Sequence, residues 1–186
     1  MMINNPQTWN TLLEKAPPGA VLMGGAVRDY LLNQEAKDYD IFHTYQYGIP
    51  EIPGWKYIPR EVVAGEVHPD YDIVVDGQPN PIGSVYDYDV LIKNDGEILP
   101  KKIRVQLVGV HYADPTEHFK HFDHTLTLAL YGSKGMIVDR RLFNSIHNKV
   151  VTCTNKAKPL KSLNRAISVI NRIDPKKADA WIYQGF

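Results

Sequence analysis

The amino-acid sequence predicts an α+β fold, a mixed β-sheet flanked by helices. Two observations lead there. A helix and a strand come first, several short strands come next, and a helix lies near the end, an order that suits segregated elements. The 186 residues, 44% hydrophobic and 23% charged, are ordinary for a globular chain and sufficient for a core without disulfides or a structural metal.

Asn5-Pro6 opens the first helix with an N-cap residue and then proline at the first helical position. Trp9, Leu12 and Leu13 share a face before Pro17-Pro18-Gly19 stops the helix. Ala20–Met23 reads as a short buried strand and Gly24-Gly25 as a turn. Val27–Asn33 reads as a second helix, with Val27, Tyr30 and Leu31 at i, i+3, i+4 spacing. A strand runs over Lys37–Phe42. Tyr45–Pro59, carrying Gly48, Pro50, Pro53 and Gly54, reads mostly as loop. Strands are expected around Tyr71–Val75, Val85–Ile92 and Ile103–Val110, with Asn94-Asp95-Gly96 as a hairpin turn between the last two. Asp87 and Asp89 alternate with Tyr86 and Tyr88, which predicts packed tyrosines and solvated aspartates. Thr116–Phe122 is a short helix or turn, His124–Leu130 is strand or helix, and Met136–Val138 and Lys149–Thr154 are short strands. Pro159–Ile173 is the last helix, with Leu160, Leu163, Ile167 and Ile170 as its core stripe, and Asp174-Pro175 ends it.

Charge and cysteine usage bound the setting. Cys153 is the single cysteine, which fits a reducing compartment. The first ten residues are polar, and no window approaches the ~20 apolar residues of a membrane span, so a soluble cytoplasmic protein is expected. Net charge is zero, yet between Lys149 and Lys177 eight Lys and Arg residues face only Asp174. Such a basic stretch could meet nucleic-acid phosphates through Lys158, Lys161 and Arg165, or form a solvated helix face. His118, His121 and His124 recur at threes; without further partners they read as surface or phosphate-proximal residues rather than a transition-metal site.

The chemistry concentrates in residues 22–41. Two glycines after a buried strand let another group approach the backbone closely, and the next helix directs free N–H groups toward that gap, which suits a triphosphate. Arg28 could bond phosphate or brace the turn with Asp29. Asp38 and Asp40, two apart on a strand, leave the same face. Their mutual repulsion is relieved by a cation, and hard oxygen ligands suit Mg²⁺. Two ions ~4 Å apart could activate a 3′-hydroxyl and steady a departing pyrophosphate.

Gly24-Gly25-Ala26-Val27-Arg28-Asp29, then Leu31-Leu32, then Lys37-Asp38-Tyr39-Asp40-Ile41, in that order and without a gap, resembles the signature of the class II tRNA nucleotidyltransferase/poly(A) polymerase family, which includes the CCA-adding enzymes. Phe122–Tyr131 more loosely resembles that family's Arg-Arg-Asp-Phe-Thr-Ile-Asn segment. Met136–Asp139 and Ile146–Val151 resemble the family's next stretch of chain, and Arg165-Ala166-Ile167 resembles the first helix beyond the catalytic domain. The size also resembles short nucleotidyltransferase-like proteins of some bacteriophages. The resemblance implies a DNA polymerase β-like head domain over residues 1–155 and a basic helical extension over 156–186, similar to the start of a neck domain. It implies transfer of a nucleoside monophosphate from an NTP to an acceptor hydroxyl, first of all the 3′ end of an RNA such as tRNA. Asp38 and Asp40 would hold two Mg²⁺ ions, Gly24, Gly25, Arg28 and Asp29 would lie near the triphosphate, and Asp123 near the ribose.

The sequence also departs from that family. His121 and Phe122 stand where it has two arginines, and Gln106 stands at the equivalent of its third catalytic carboxylate. Asp87, Asp89 and Asp123 are the other candidates for that acid. The Glu-Asp pair that reads the incoming base has no counterpart near Lys158-Pro159-Leu160-Lys161. A catalytically silent nucleotide- or RNA-binding protein with the same fold is therefore the alternative expectation.

Overall fold

Asn5 caps the first helix, α1 (Pro6–Lys15), by accepting the Thr8 N–H at 3.0 Å. A computed structural model describes residues 2–60, 81–154 and 158–186. The α1 face buries Trp9 and Leu12, and the Trp9 ring meets Tyr30 and Tyr131 edge-on at 5.1 and 5.0 Å. Strand β1 (Val21–Met23) leads through Gly24 into α2 (Gly25–Leu31) and on to β2 (Tyr39–Thr44). Next come β3 (Trp55–Ile58), the long hairpin of β4 (Ile82–Ile92) and β5 (Lys101–Val110), 3₁₀ turns at Pro115–His121 and Thr125–Thr127, and the hairpin β6 (Ala129–Gly132) and β7 (Gly135–Val138). The chain closes with α3 (Arg140–Asn148), β8 (Val150–Thr152), α4 (Pro159–Ile173), a third 3₁₀ turn and β9 (Ile182–Gln184).

Among the described residues seven strands form one sheet in the order β3-β4-β5-β2-β1-β6-β7. Only β2 and β5 pair in parallel; every other neighbour in this sheet is antiparallel. The central pair is buried on both faces, which explains the near-continuous apolar runs of both strands. The α+β expectation holds. Among the described residues no helix is long and apolar enough to cross a membrane.

Several elements differ from the sequence expectation. Within the stretch read mostly as loop, Trp55–Ile58 forms β3, the outermost described strand on that side, held by cross-strand aromatic pairs of Trp55 with Tyr88 at 5.6 Å and Tyr57 with Tyr86 at 6.0 Å. Four residues between Pro53-Gly54 and Pro59 show no period; their partners lie thirty residues away. Helix α3 lies outside the sequence expectation, although Asp139 caps it by accepting the Arg141 N–H at 2.8 Å. The expected strand around Tyr71–Val75 lies outside the described residues. In α4 the buried positions are Ser162, Ala166 and Ile170, whereas Leu160 is 69% exposed. The helix presents its small residues to the body, so it approaches closely and Leu160 is turned outward. Asp87 is also not solvated: it is 2% exposed beside the equally buried Tyr88.

Residues 158–186 pack on the same core. Ala166 and Ile170 join the hydrophobic cluster, Gln34 Nε2 donates to the Ile173 carbonyl at 3.1 Å, and β9 pairs in parallel with β8.

Candidate active site

The cleft is built from the β1–α2 turn outward. Met23 ends β1, and the Gly24 N–H donates to the Ala129 carbonyl at 2.8 Å, which carries sheet pairing one residue beyond the strand. The chain then reverses through Gly24 at φ 86° and ψ −127°, a conformation that side chains strongly disfavour. Gly25 makes room for Arg28: a Cβ there would stand 3.3 Å from the guanidinium. Gly24→Ala is therefore expected to cost ~1–3 kcal/mol in urea unfolding, and an unchanged midpoint would contradict the strain.

Arg28 is 1% exposed and its partners are internal. Nε and Nη2 reach Asp29 Oδ1 at 2.9 and 2.8 Å, and Nη1 donates to the Leu126 carbonyl at 3.2 Å. Burial lowers the guanidinium's pKa, and the adjoining Asp29 carboxylate pushes it back up. Asp29 is wholly buried and also accepts from Arg172 Nη1 at 2.8 Å. This triad ties α2 to the far end of α4.

Asp38, just before β2, and Asp40 within it flank the buried Tyr39 and stand half-exposed in the cleft. Phe42, two residues on, continues the same face. On the neighbouring parallel strand Gln106 is the register partner of Asp40. Gln106 in turn faces Asp87 of β4, and its Nε2 donates to Asp87 Oδ1 at 2.9 Å. The other oxygen of Asp87 meets Arg60.

The opposite wall comes from the 3₁₀ segment and α4. His118 stacks on Phe42 at 5.0 Å between ring centres, and Phe122 meets Phe42 edge-on at 6.0 Å. Arg165 and Arg172 are seven residues apart, two helical turns, so both reach the cleft from one face of α4. The enclosed volume is about 240 Å³. A larger recess of about 730 Å³ shares the Pro115–His121 segment as a wall through Phe119 and Lys120, but among the described residues no carboxylate lines it. The smaller cleft gathers the ionic groups and is the candidate site.

The cleft brings together Gly24, Gly25, Arg28, Asp29, Asp38, Asp40, Gln106 and Arg165 of the sequence-predicted residues. Asp123 lies beneath it, 2% exposed, 3.4 Å from Arg165 Nη1 and 3.8 Å from His124 Nε2. Asp89 is elsewhere on the sheet, paired with Arg104 at 3.3 Å and Lys102 at 3.6 Å. Lys158 and Lys161, in the first turn of α4, are not among the described residues lining the cleft. The sequence reading missed Lys37, Phe42, Thr127 and Arg172 as cleft residues. Only Arg172 left a signal, its seven-residue interval from Arg165.

Two of the three histidines are not on the surface. His118 and His124 are 2% and 1% exposed, line the cleft, and each leaves Nδ1 without a hydrogen-bond partner. His121 stacks on Tyr112 instead and shares a 2.7 Å hydrogen bond with its hydroxyl. Burial pushes both His118 and His124 down to about 4, so the rings are neutral at pH 7. In the unfolded chain both take up a proton below about 6.5. The unfolded state thus binds more protons between pH 6.5 and 4, and stability falls on acidification through that window, by up to ~1.4 kcal/mol per pH unit for each ring. Thermal melts at stepped pH are expected to show this slope, reduced in His118→Phe; the same slope in that variant would contradict the assignment.

The donor set fits Mg²⁺. Two half-exposed carboxylates on one face leave coordination positions for water and phosphate oxygens. Among the described residues no group of three or more His, Cys, Asp or Glu is placed to share an ion.

No protein-family model and no curated protein matches the chain. Solved structures do. The complex of a CCA-adding enzyme with CTP superposes with a TM-score of 0.54 at 14% identity, covering 97% of this chain and 41% of that one. The apo form I of a CCA-adding enzyme gives 0.49 at 13% identity, covering 94% and 42%. The Bacillus stearothermophilus CCA-adding enzyme in complex with CTP gives 0.46 at 17% identity, covering 89% and 36%. The chain thus spans less than half the length of each. At these identities the likeness is one of fold: this chain shares its mixed sheet and flanking helices with the first of these CCA-adding enzymes.

Proposed function

We propose that the protein is a nucleotidyltransferase that moves a nucleoside monophosphate from an NTP to an acceptor hydroxyl, the 3′ end of an RNA such as tRNA being the first acceptor. The observation that carries this reading is the pair Asp38 and Asp40 at the start of β2, opening into a cleft whose lining includes Gly24, Gly25 and the cationic side chains of Lys37, Arg165 and Arg172. The fold shared with a CCA-adding enzyme supports it. The extension from residue 156 fits the start of a neck domain in this reading, and Lys158, Lys161 and Arg165 are its RNA-facing cations.

In this reading each residue has a role. Asp38 and Asp40 would hold Mg²⁺, which supplies positive charge to the triphosphate and the leaving pyrophosphate. Gly24 and Gly25 bring no side chain between the backbone and the phosphates. Lys37, Arg165 and Arg172 add charge-assisted contacts, while Arg28 and Asp29 hold the turn rigid from beneath. The acceptor oxygen attacks the α-phosphorus, the bond to the bridging oxygen breaks, and pyrophosphate departs. The acceptor proton passes to a cleft carboxylate or water. Phe42 and Phe122, the latter standing where the resembled family has an arginine, offer an apolar wall to the sugar or base.

The acceptor is tested by supplying all four α-³²P-labelled NTPs with tRNA lacking its 3′ end, with bulk RNA and with protein. Label entering the shortened tRNA supports the reading, and label entering only protein redirects it. A second reading, a binder without turnover, is favoured by one observation: Gln106, a neutral amide, occupies the strand position beside Asp40. Bound NTP without label transfer to any acceptor would select it.

A further inference from the structure

We propose that this cleft takes one divalent cation rather than two, and that Asp87 and Gln106 set that number. The inference rests on the nucleotidyl-transfer reading. A second ion held by the protein, rather than by the triphosphate alone, is favoured by a further anionic oxygen next to Asp40. Among the described residues the strand position that could supply it belongs to Gln106, the register partner of Asp40 on β5. The acid stands one strand farther out, at Asp87. With neighbouring strands ~4.8 Å apart, the Asp87 backbone is roughly 9–10 Å from that of Asp40, so Gln106 stands between Asp87 and an ion held on Asp40.

Asp87 is also committed elsewhere. One carboxylate oxygen accepts from Gln106 Nε2 at 2.9 Å and the other meets Arg60, with the side chain 1% exposed. A buried carboxylate accepts hydrogen bonds, so it requires the N–H side of the amide and turns Gln106 Oε1 away from itself. Asp87 is thus a positioning residue acting through Gln106, which lines the cleft as a neutral group.

The test counts Mn²⁺, a spectroscopic stand-in for Mg²⁺, per protein-bound non-hydrolysable α,β-methylene NTP, from the electron paramagnetic resonance signal of free Mn²⁺. The expected result is one ion for the wild type and two for Gln106→Glu/Asp87→Gln, which moves the acid one strand inward. If the double variant fails to fold, Gln106→Glu alone is expected to give the same gain. Two ions in the wild type, or one in a folded variant carrying Glu at 106, would overturn the proposal while leaving nucleotidyl transfer intact. A wild type that binds nucleotide and Mn²⁺ at no stoichiometry would overturn the underlying reading and this proposal with it.

Discussion

Asp29→Ala is expected to destabilise the protein by ~3–5 kcal/mol, the range for breaking a buried ion pair by removing one partner. Asp29 has no exposed surface and receives both Arg28 and Arg172. Its loss leaves the 1%-exposed Arg28 guanidinium with the Leu126 carbonyl as its remaining hydrogen-bond partner, an uncompensated charge far from water. Arg172→Ala is expected to cost much less, because that side chain is 35% exposed and can be hydrated when unpaired. Urea unfolding measures both, and a loss below ~1 kcal/mol for Asp29→Ala would show that Arg28 finds another partner. Since Arg172 sits near the end of α4, Asp29→Ala should also raise amide exchange in that helix relative to the sheet. The pairing therefore links fold and site: it stabilises the turn at Gly24-Gly25 and docks the helix that carries Arg165 into the cleft.

The second large effect is on chemistry. Asp38→Asn and Asp40→Asn are each expected to lower nucleotidyl transfer at least ~10³-fold, ~4 kcal/mol of transition-state stabilisation. Folding stability should stay nearly constant, because both carboxylates are half-exposed and removing one relieves repulsion between them. The loss should fall mainly on kcat, since the ion stabilises charge that develops on the leaving pyrophosphate. A purely structural role would give the opposite pattern, with melting temperature falling and the activity of the folded fraction preserved.

Much of this was legible in the sequence. The Gly24-Gly25 turn, the Asp38/Asp40 face and the boundaries of α4 come from local rules of glycine, strand alternation and helix punctuation. The features that were not legible depend on contacts between distant residues. Strand β3 exists because Trp55 and Tyr57 find Tyr86 and Tyr88 across the sheet. Asp87 looks like a solvated strand residue until Gln106 and Arg60 are brought to it. His118 looks exposed by spacing, but the 3₁₀ turn folds it onto Phe42. In α4 periodicity found the helix and its buried Ile170 but missed Ser162 and Ala166: Leu160 is more apolar than Ser162, yet the body requires a small residue where the helix comes close. Local pattern sets the elements, and shape at the contact decides which side of an element is buried.

The measurement that tests the central claim most directly compares α-³²P- with γ-³²P-labelled NTP as label donors to RNA in the presence of Mg²⁺, for the wild type and for Asp38→Asn/Asp40→Asn confirmed folded by its thermal melt. The account predicts α-label in RNA, no γ-label, release of pyrophosphate, and loss of transfer in the double variant. Transfer that persists in the folded double variant, or γ-label appearing in the acceptor, would contradict it.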